Sequence, residues 1–240
     1  MKKLVITIGI LCGLILLLWV AGRVTGALQY YKIPTPSNEP TVKVGEHVLA
    51  SNFKKPSPGC FIVFTSRYED SINATYMQGY KPGAHYLYRL CGMSGNILEM
   101  KNAVLYVNGR NFDEGLSLKN EFMVSSGAFT ETIEEDDKIA LDNYRPGLHT
   151  PDSMVIAFDK TQIKKYQSKL KLTPYIIRDT SVGPFKWMNK NTIWTPDNFG
   201  PLTIPAGCYF GLGDNRHNAL DSRFTGFIKA ADIKGVVLNK

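Results

Sequence analysis

The sequence predicts a mostly β protein carrying an α+β insertion, set behind a single membrane-spanning helix. Three observations carry this expectation. Residues Leu4 to Gly22 hold no charge and are rich in Leu and Ile. Short apolar runs separated by Pro- and Gly-containing loops recur from Val42 to about residue 110, and again after residue 199. Between them, from about Phe112 to Asn198, the pattern changes to an acidic run at Glu131–Asp137 and a Lys-rich piece at Asp159–Leu172.

Taken in order, the first element is the apolar stretch, flanked by Lys2, Lys3 and Arg23. At about 1.5 Å per residue it spans roughly 28 Å as a helix, close to the hydrocarbon thickness of a bilayer. A cleaved secretory signal has an apolar region of only about 7–15 residues, and Val24-Thr25-Gly26-Ala27 is a poor cleavage site. Residues 1–27 are therefore read as a retained anchor. Lys2 and Lys3 favour a cytoplasmic N-terminus while Arg23 and Lys32 pull the other way, and a C-terminal domain facing outward fits better. Gln29 to Tyr31 places two Tyr at headgroup depth.

The β core begins at residue 28 and runs to 111. Its strands are expected at Glu46–Ala50, Cys60–Phe64, Tyr86–Met93 and Ile97–Met100. Lys54-Lys55-Pro56-Ser57-Pro58-Gly59 reads as a loop, and Asn108-Gly109 after Leu105-Tyr106-Val107 is a strong hairpin signal. No long helical period is visible in this half. Residues 112–198 are read as an inserted cap subdomain, with a helix within Asp159–Leu172. The chain then returns to the core over 199–240.

At 240 residues the chain can bury a real core. The net charge of +7 is scattered, and its densest pairs, Lys54-Lys55 and Lys164-Lys165, are not interleaved with stacking aromatics. That excludes nucleic acid as a partner and fits a surface close to anionic lipid. None of the four cysteines, Cys12, Cys60, Cys91 and Cys208, forms a CxxC, so no metal or redox motif is present and no cofactor is expected. Three of them lie outside the anchor and cannot all pair. The expectation is three buried thiols, with a single disulfide as the alternative.

Two segments carry candidate chemistry. Ser37 lies between Pro36 and Pro40, with Pro34 further back. Proline fixes φ and extends its predecessor, so the hydroxyl is held on a stiff segment. A proline-rich linker leaving the membrane, with Ser37 merely solvated, is the plainer reading of that segment alone. The second segment is Gly213-Asp214-Asn215-Arg216-His217-Asn218-Ala219-Leu220-Asp221-Ser222-Arg223.

Together these resemble two boxes of the bacterial type I signal peptidases, most closely the Bacteroidetes-type members. These are membrane-anchored serine endopeptidases of the S26 family that use a Ser–Lys dyad. The nucleophile box Ser-x-Ser-Met-x-Pro-Thr corresponds to Thr35-Pro36-Ser37-Asn38-Glu39-Pro40-Thr41. The resemblance implies Ser37 as nucleophile and Thr35 as an oxyanion-hole donor, with Asn38 in place of the methionine. Tyr86-Leu87-Tyr88-Arg89-Leu90-Cys91-Gly92-Met93-Ser94-Gly95-Asn96 aligns with a family segment that begins Lys-Arg, and the lysine base falls on Tyr88. In the second box the serine that orients that lysine is Ala219, while Asp214, Asn215, Arg216, Asp221, Ser222 and Arg223 are intact and imply structural support.

Burial lowers the pKa of a lysine and makes it a base, but it raises that of a tyrosine. Forming a phenolate at pH 7 costs about 4 kcal/mol even before burial. Tyr88 is thus a poor base, and a weak or lost peptidase activity is expected. His85 is the first substitute to consider, although three residues from Tyr88 it points to the opposite strand face; His47, Lys43 and Lys81 follow. The resemblance further implies signal peptides of exported proteins and the lipid bilayer as partners. It also implies a single-pass location in the plasma (inner) membrane with the domain on the periplasmic side. An active peptidase with a substitute base and a non-catalytic peptide-binding or assembly homologue are the two alternatives. A self-cleaving Ser–Lys repressor is disfavoured by the anchor and by the absence of a helix-turn-helix upstream.

Overall fold

A computed structural model describes residues 2–76, 78–133, 145–146, 152–180, 185 and 193–240. Helix α1 (Lys2–Thr25) has no buried residue and is long and apolar enough to cross a membrane. The chain then turns at Gly26 and enters β1 (Gln29–Lys32), so the tyrosines expected at headgroup depth lie on a strand. A single 3₁₀ turn over Pro36–Asn38 follows.

The main sheet has seven strands. Besides β1 it contains β2 (His47–Ser51), β3 (Phe61–Phe64), β4 (Tyr86–Met93), β13 (Cys208–Leu212), β14 (Ile228–Lys229) and β15 (Ile233–Val237). Their order is β1-β2-β15-β3-β4-β13-β14, so the two ends of the sequence interleave within one sheet. Every pairing is antiparallel. Strand alternation gives the sheet two faces. Leu87 packs with Ile33, Val42, Val48 and Val63, while Tyr86 and Tyr88 pack with Ile62, Phe64 and Val236 on the other side.

A second sheet combines β5 (Ile97–Lys101), β6 (Val104–Val107), β7 (Arg110–Asn111) and β12 (Phe199–Thr203) in the order β12-β5-β6-β7. Its β6–β7 turn is the expected Asn108-Gly109 hairpin, and both residues adopt positive φ as such a turn demands. The buried cluster of Cys91, Leu98, Met100, Leu105, Phe199, Leu202, Phe210 and Leu212 joins this sheet to the main one.

A third sheet lies between these segments in sequence. It contains β8 (Asn120–Ser125), β9 (Arg145–Pro146), β10 (Ser153–Phe158) and β11 (Thr173–Pro174), in the order β11-β8-β10-β9. Helices α3 (Ser126–Thr132) and α4 (Lys160–Tyr166) pack on it through Phe129 and Tyr166. The start of α4 is fixed by a reciprocal capping box of Asp159 and Gln162. The acidic run noted in the sequence lies, beyond Ile133, outside the described residues.

Two features differ from the sequence reading. Helix α2 (Arg67–Tyr76) stands between β3 and β4, where no helix was expected. It is short and largely polar; the signal was Ser66-x-x-Glu69, and Ser66 Oγ does accept the Glu69 N–H at 3.2 Å. The four cysteines are all unpaired, and of the three outside α1 only Cys91 is fully buried. Burial pushes the Cys91 thiol up to about 12, which makes it inert at neutral pH.

Candidate active site

The serine segment is held from below by the C-terminal box. The Asn215 N–H donates to the Ser37 carbonyl at 3.0 Å, and its side-chain amide donates to the Pro36 carbonyl at 3.2 Å. A Cβ at Gly213 would collide with the Ser37 carbonyl and with the Ala219 methyl. Position 219 therefore sits against the serine loop, and only glycine allows that approach. The Thr35 and Ser37 hydroxyls lie 3.4 Å apart. Asn38, buried at the end of the 3₁₀ turn, donates its amide to the Leu87 carbonyl at 2.7 Å and so ties the loop to β4.

The box itself rests on three buried bidentate ion pairs. Arg89 donates to Asp214 at 2.7 and 2.6 Å, lies over the Phe61 ring at 4.3 Å, and Thr41 adds a third donor to Asp214. Arg216 grips Asp113 at 2.8 and 2.6 Å. Arg223 grips Asp221 at 2.8 Å through two nitrogens, and Asp221 also accepts the Gly213 N–H at 3.1 Å. Ser222 accepts the Gly211 N–H at 3.0 Å. Arginine's planar fork suits this use, because each carboxylate must be satisfied within the protein.

Tyr88 is 5% exposed and donates its hydroxyl proton to the Leu220 carbonyl at 2.5 Å. Burial pushes the phenol well above its usual value, and the carboxyls of Glu69 and Asp221 push it further. It is a hydrogen-bond donor with no tendency to accept a proton from serine. The sequence reading missed Glu69. This residue of α2 is 1% exposed, and neither carboxyl oxygen has a hydrogen-bond partner. The Thr225 hydroxyl beside it donates instead to the Asp221 carbonyl at 3.2 Å. Burial, with Asp221 and Asp70 adding to it, raises the Glu69 carboxyl well above the normal range.

Ser37, Thr35, Asn38, His85 and Tyr88 line one cavity of about 410 Å³. Of the substitute bases weighed from the sequence, only His85 reaches this cavity. It is exposed and its ring packs on Tyr31 at 5.2 Å; burial and then Lys234 hold its pKa below the usual value. His47 stacks on Tyr30 at 4.7 Å, and Lys43 and Lys81 are exposed. Among the described residues Ser37 Oγ makes no hydrogen bond to a lysine or histidine nitrogen, and no cluster fit to hold a metal occurs.

His217 was not singled out in the sequence. Its Nε2 lies 2.9 Å from both Asp197 oxygens and its Nδ1 3.2 Å from Glu121, with the Tyr175 ring edge-on. Burial lowers its pKa, but the two carboxylates outweigh that and the net shift is upward. A raised folded pKa gives stability that is complete below the unfolded value near 6.5 and is lost as pH rises through the folded value. The melting temperature should thus fall across that interval, and His217→Gln should flatten the profile. A wild-type curve that is flat or rising there would contradict the ion pairing.

A family model described as signal peptidase, peptidase S26, matches residues 1–239. Signal peptidase I P of Bacillus subtilis subsp. natto is 26% identical over 221 residues, covering 91% of this chain and 84% of its own. Signal peptidase I of Aquifex aeolicus is 25% identical, with 86% of this chain and 73% of its own covered. That of Pseudomonas aeruginosa is 27% identical over 82% of this chain and 55% of its own. A crystal structure of a signal peptidase I from Enterococcus faecalis aligns at a TM-score of 0.33 and 22% identity, covering 77% of this chain and 98% of that one.

Proposed function

Because the chain belongs to the signal peptidase family, peptidase S26, we propose that it is a membrane-anchored, signal-peptide-binding member whose serine has lost its base. Helix α1 anchors it in the plasma membrane with the β domain outward, and residues 112–198 form an inserted cap. The observation that carries the reading is Tyr88 in the lysine position, with its proton committed to the Leu220 carbonyl.

The groove suits an extended peptide. Residues 89–93 of β4 pair with β13, whereas among the described residues Tyr86, Leu87 and Tyr88 pair with β3 alone. That stretch lines the cavity shared with Ile33, Pro34 and Thr35, and on the edge away from β3 its Leu87 carbonyl accepts the Asn38 amide. An extended chain can add there as a strand, its reacting carbonyl near Ser37 and its oxyanion near the Thr35 hydroxyl. Without a base, attack by the neutral serine loses about 10²–10⁴ in rate.

The test is titration of a fluorescent signal peptide into the full chain in detergent, with cleavage followed in the same samples. Saturable binding with turnover at the background of Ser37→Ala is expected. Robust cleavage abolished by Ser37→Ala would overturn the proposal and make His85, the basic side chain from the sequence reading that lines the groove, the first base to test.

A further inference from the structure

Residues 214–216 of the C-terminal box run between two other pieces of chain. On one side the Asn215 N–H holds the Ser37 carbonyl at 3.0 Å. On the other lies Lys119, paired with Asn215 as in a parallel ladder: its N–H donates to the Asp214 carbonyl at 3.0 Å, and its carbonyl accepts the Arg216 N–H at 3.1 Å. Lys119 is the residue that leads into β8, the strand of the third sheet that pairs with both β10 and β11. A single strand-like layer therefore separates the start of the inserted cap from the serine turn.

The Lys119 side chain reaches past that layer, and its ammonium lies 3.4 Å from the Glu39 carboxylate. Glu39 closes the turn that carries Ser37, since its N–H donates to the Pro36 carbonyl at 3.1 Å. The pair is mostly out of water, with the Lys119 side chain 12% and that of Glu39 25% exposed, so salt and solvent screen it less than a surface pair. The carboxylates of Asp214 and Asp113 are already gripped by Arg89 and Arg216. Among the described residues, Glu39 is the carboxylate that Lys119 pairs with.

We propose that Lys119 is a positioning residue through which the inserted cap sets the geometry of the serine turn. The proposal rests on the peptide-groove reading and adds a control element to it. Ser37 stands at the middle of a three-residue turn that Glu39 ends, so whatever holds the Glu39 side chain helps to fix where the Ser37 hydroxyl stands in the cavity. With Lys119 in place the turn is ordered before a peptide arrives. Without it the Glu39 carboxylate turns to water, and a peptide must order the turn as it binds, which lowers affinity. Because the Lys119 backbone continues directly into β8, a shift of the cap would move the ammonium relative to Glu39.

The experiment measures binding of the fluorescent signal peptide to the full chain in detergent, every variant carrying Ser37→Ala so that no turnover intervenes. Lys119→Met and Glu39→Gln should each weaken binding about fivefold, and the two together no more than either alone, because they remove one shared contact. Lys119→Arg keeps the charge and the reach, and should bind within about twofold of the parent. A lysine that only supports the fold would lower the melting temperature and leave affinity alone. Glu39→Gln keeps the shape of its side chain and decides the matter if Lys119→Met does not fold. Parent-like binding by Glu39→Gln, losses that multiply in the double variant, or an arginine variant as weak as the methionine one overturns this inference while the peptide groove stands. No binding by the parent overturns both.

Discussion

Replacing Tyr88 by lysine and Ala219 by serine should raise cleavage of a signal-peptide substrate by about 10²–10⁴, the usual worth of general-base assistance. The size of the gain should depend on Glu69. A lysine acts as a base only when neutral, and burial supplies that by disfavouring its charge. Here the buried position is shared with a carboxyl whose field already acts on the Tyr88 phenol. Once lysine stands at 88, an ionised Glu69 will hold it protonated. Rates should therefore rise in the order wild type, Tyr88→Lys, the double variant, and the double variant with Glu69→Gln. The pH profile gives an independent readout, since Glu69→Gln should move the ascending limb of the rate to lower pH. A triple variant no faster than wild type would sink the idea. Glu69→Gln alone is informative about stability. Because the folded pKa of Glu69 is raised, the wild type should lose stability relative to this variant as pH climbs from about 4.5 through that raised value.

Removing one partner of the Arg89–Asp214 pair should be the most damaging change to the fold outside the cores. Asp214 is fully buried and the Arg89 side chain is 9% exposed. Arg89→Met leaves a buried carboxylate with the Thr41 hydroxyl as its remaining side-chain donor, and Asp214→Leu leaves a buried guanidinium. Each should cost about 3–5 kcal/mol in a urea unfolding experiment, whereas the double replacement should recover much of that loss. Singles that cost under about 1 kcal/mol, or a double as unstable as their sum, would contradict the reading of this pair as one coupled unit.

The parts of this architecture that were legible in the sequence are those governed by local rules. Tyr86–Met93 shows its β character in its apolar, aromatic run, and Asn108-Gly109 dictates its turn through positive φ. The box from Asp214 to Arg223 was legible through its resemblance to a family box; of its ion pairs only Asp221–Arg223 is local, while Asp214 and Arg216 take their partners, Arg89 and Asp113, from more than a hundred residues away. Helix α2 was hidden because it is only ten residues long and mostly polar. Glu69, Asp70 and His217 were hidden for a different reason. Their chemistry comes from burial and from partners distant in sequence, such as Tyr86 for Asp70 and Glu121 for His217. A carboxylate in a sequence looks like any solvated surface charge until the fold removes it from water. Tyr88 was read as unable to serve as a base from its side-chain chemistry, but its tie to the Leu220 carbonyl required the fold.

The measurement that bears most directly on the proposed loss of the base is single-turnover cleavage of one signal-peptide substrate, with the full chain in excess over substrate in detergent. Wild type and Ser37→Ala are compared at the same pH. Enzyme excess removes product release from the rate, so the chemical step alone is read. The account predicts that the two traces coincide within about tenfold, while the variant with lysine at 88 and serine at 219 cleaves at least about 10²-fold faster than either. A wild-type rate some 10³-fold above that of Ser37→Ala would contradict it, because serine would then be attacking with a base that Tyr88 cannot provide.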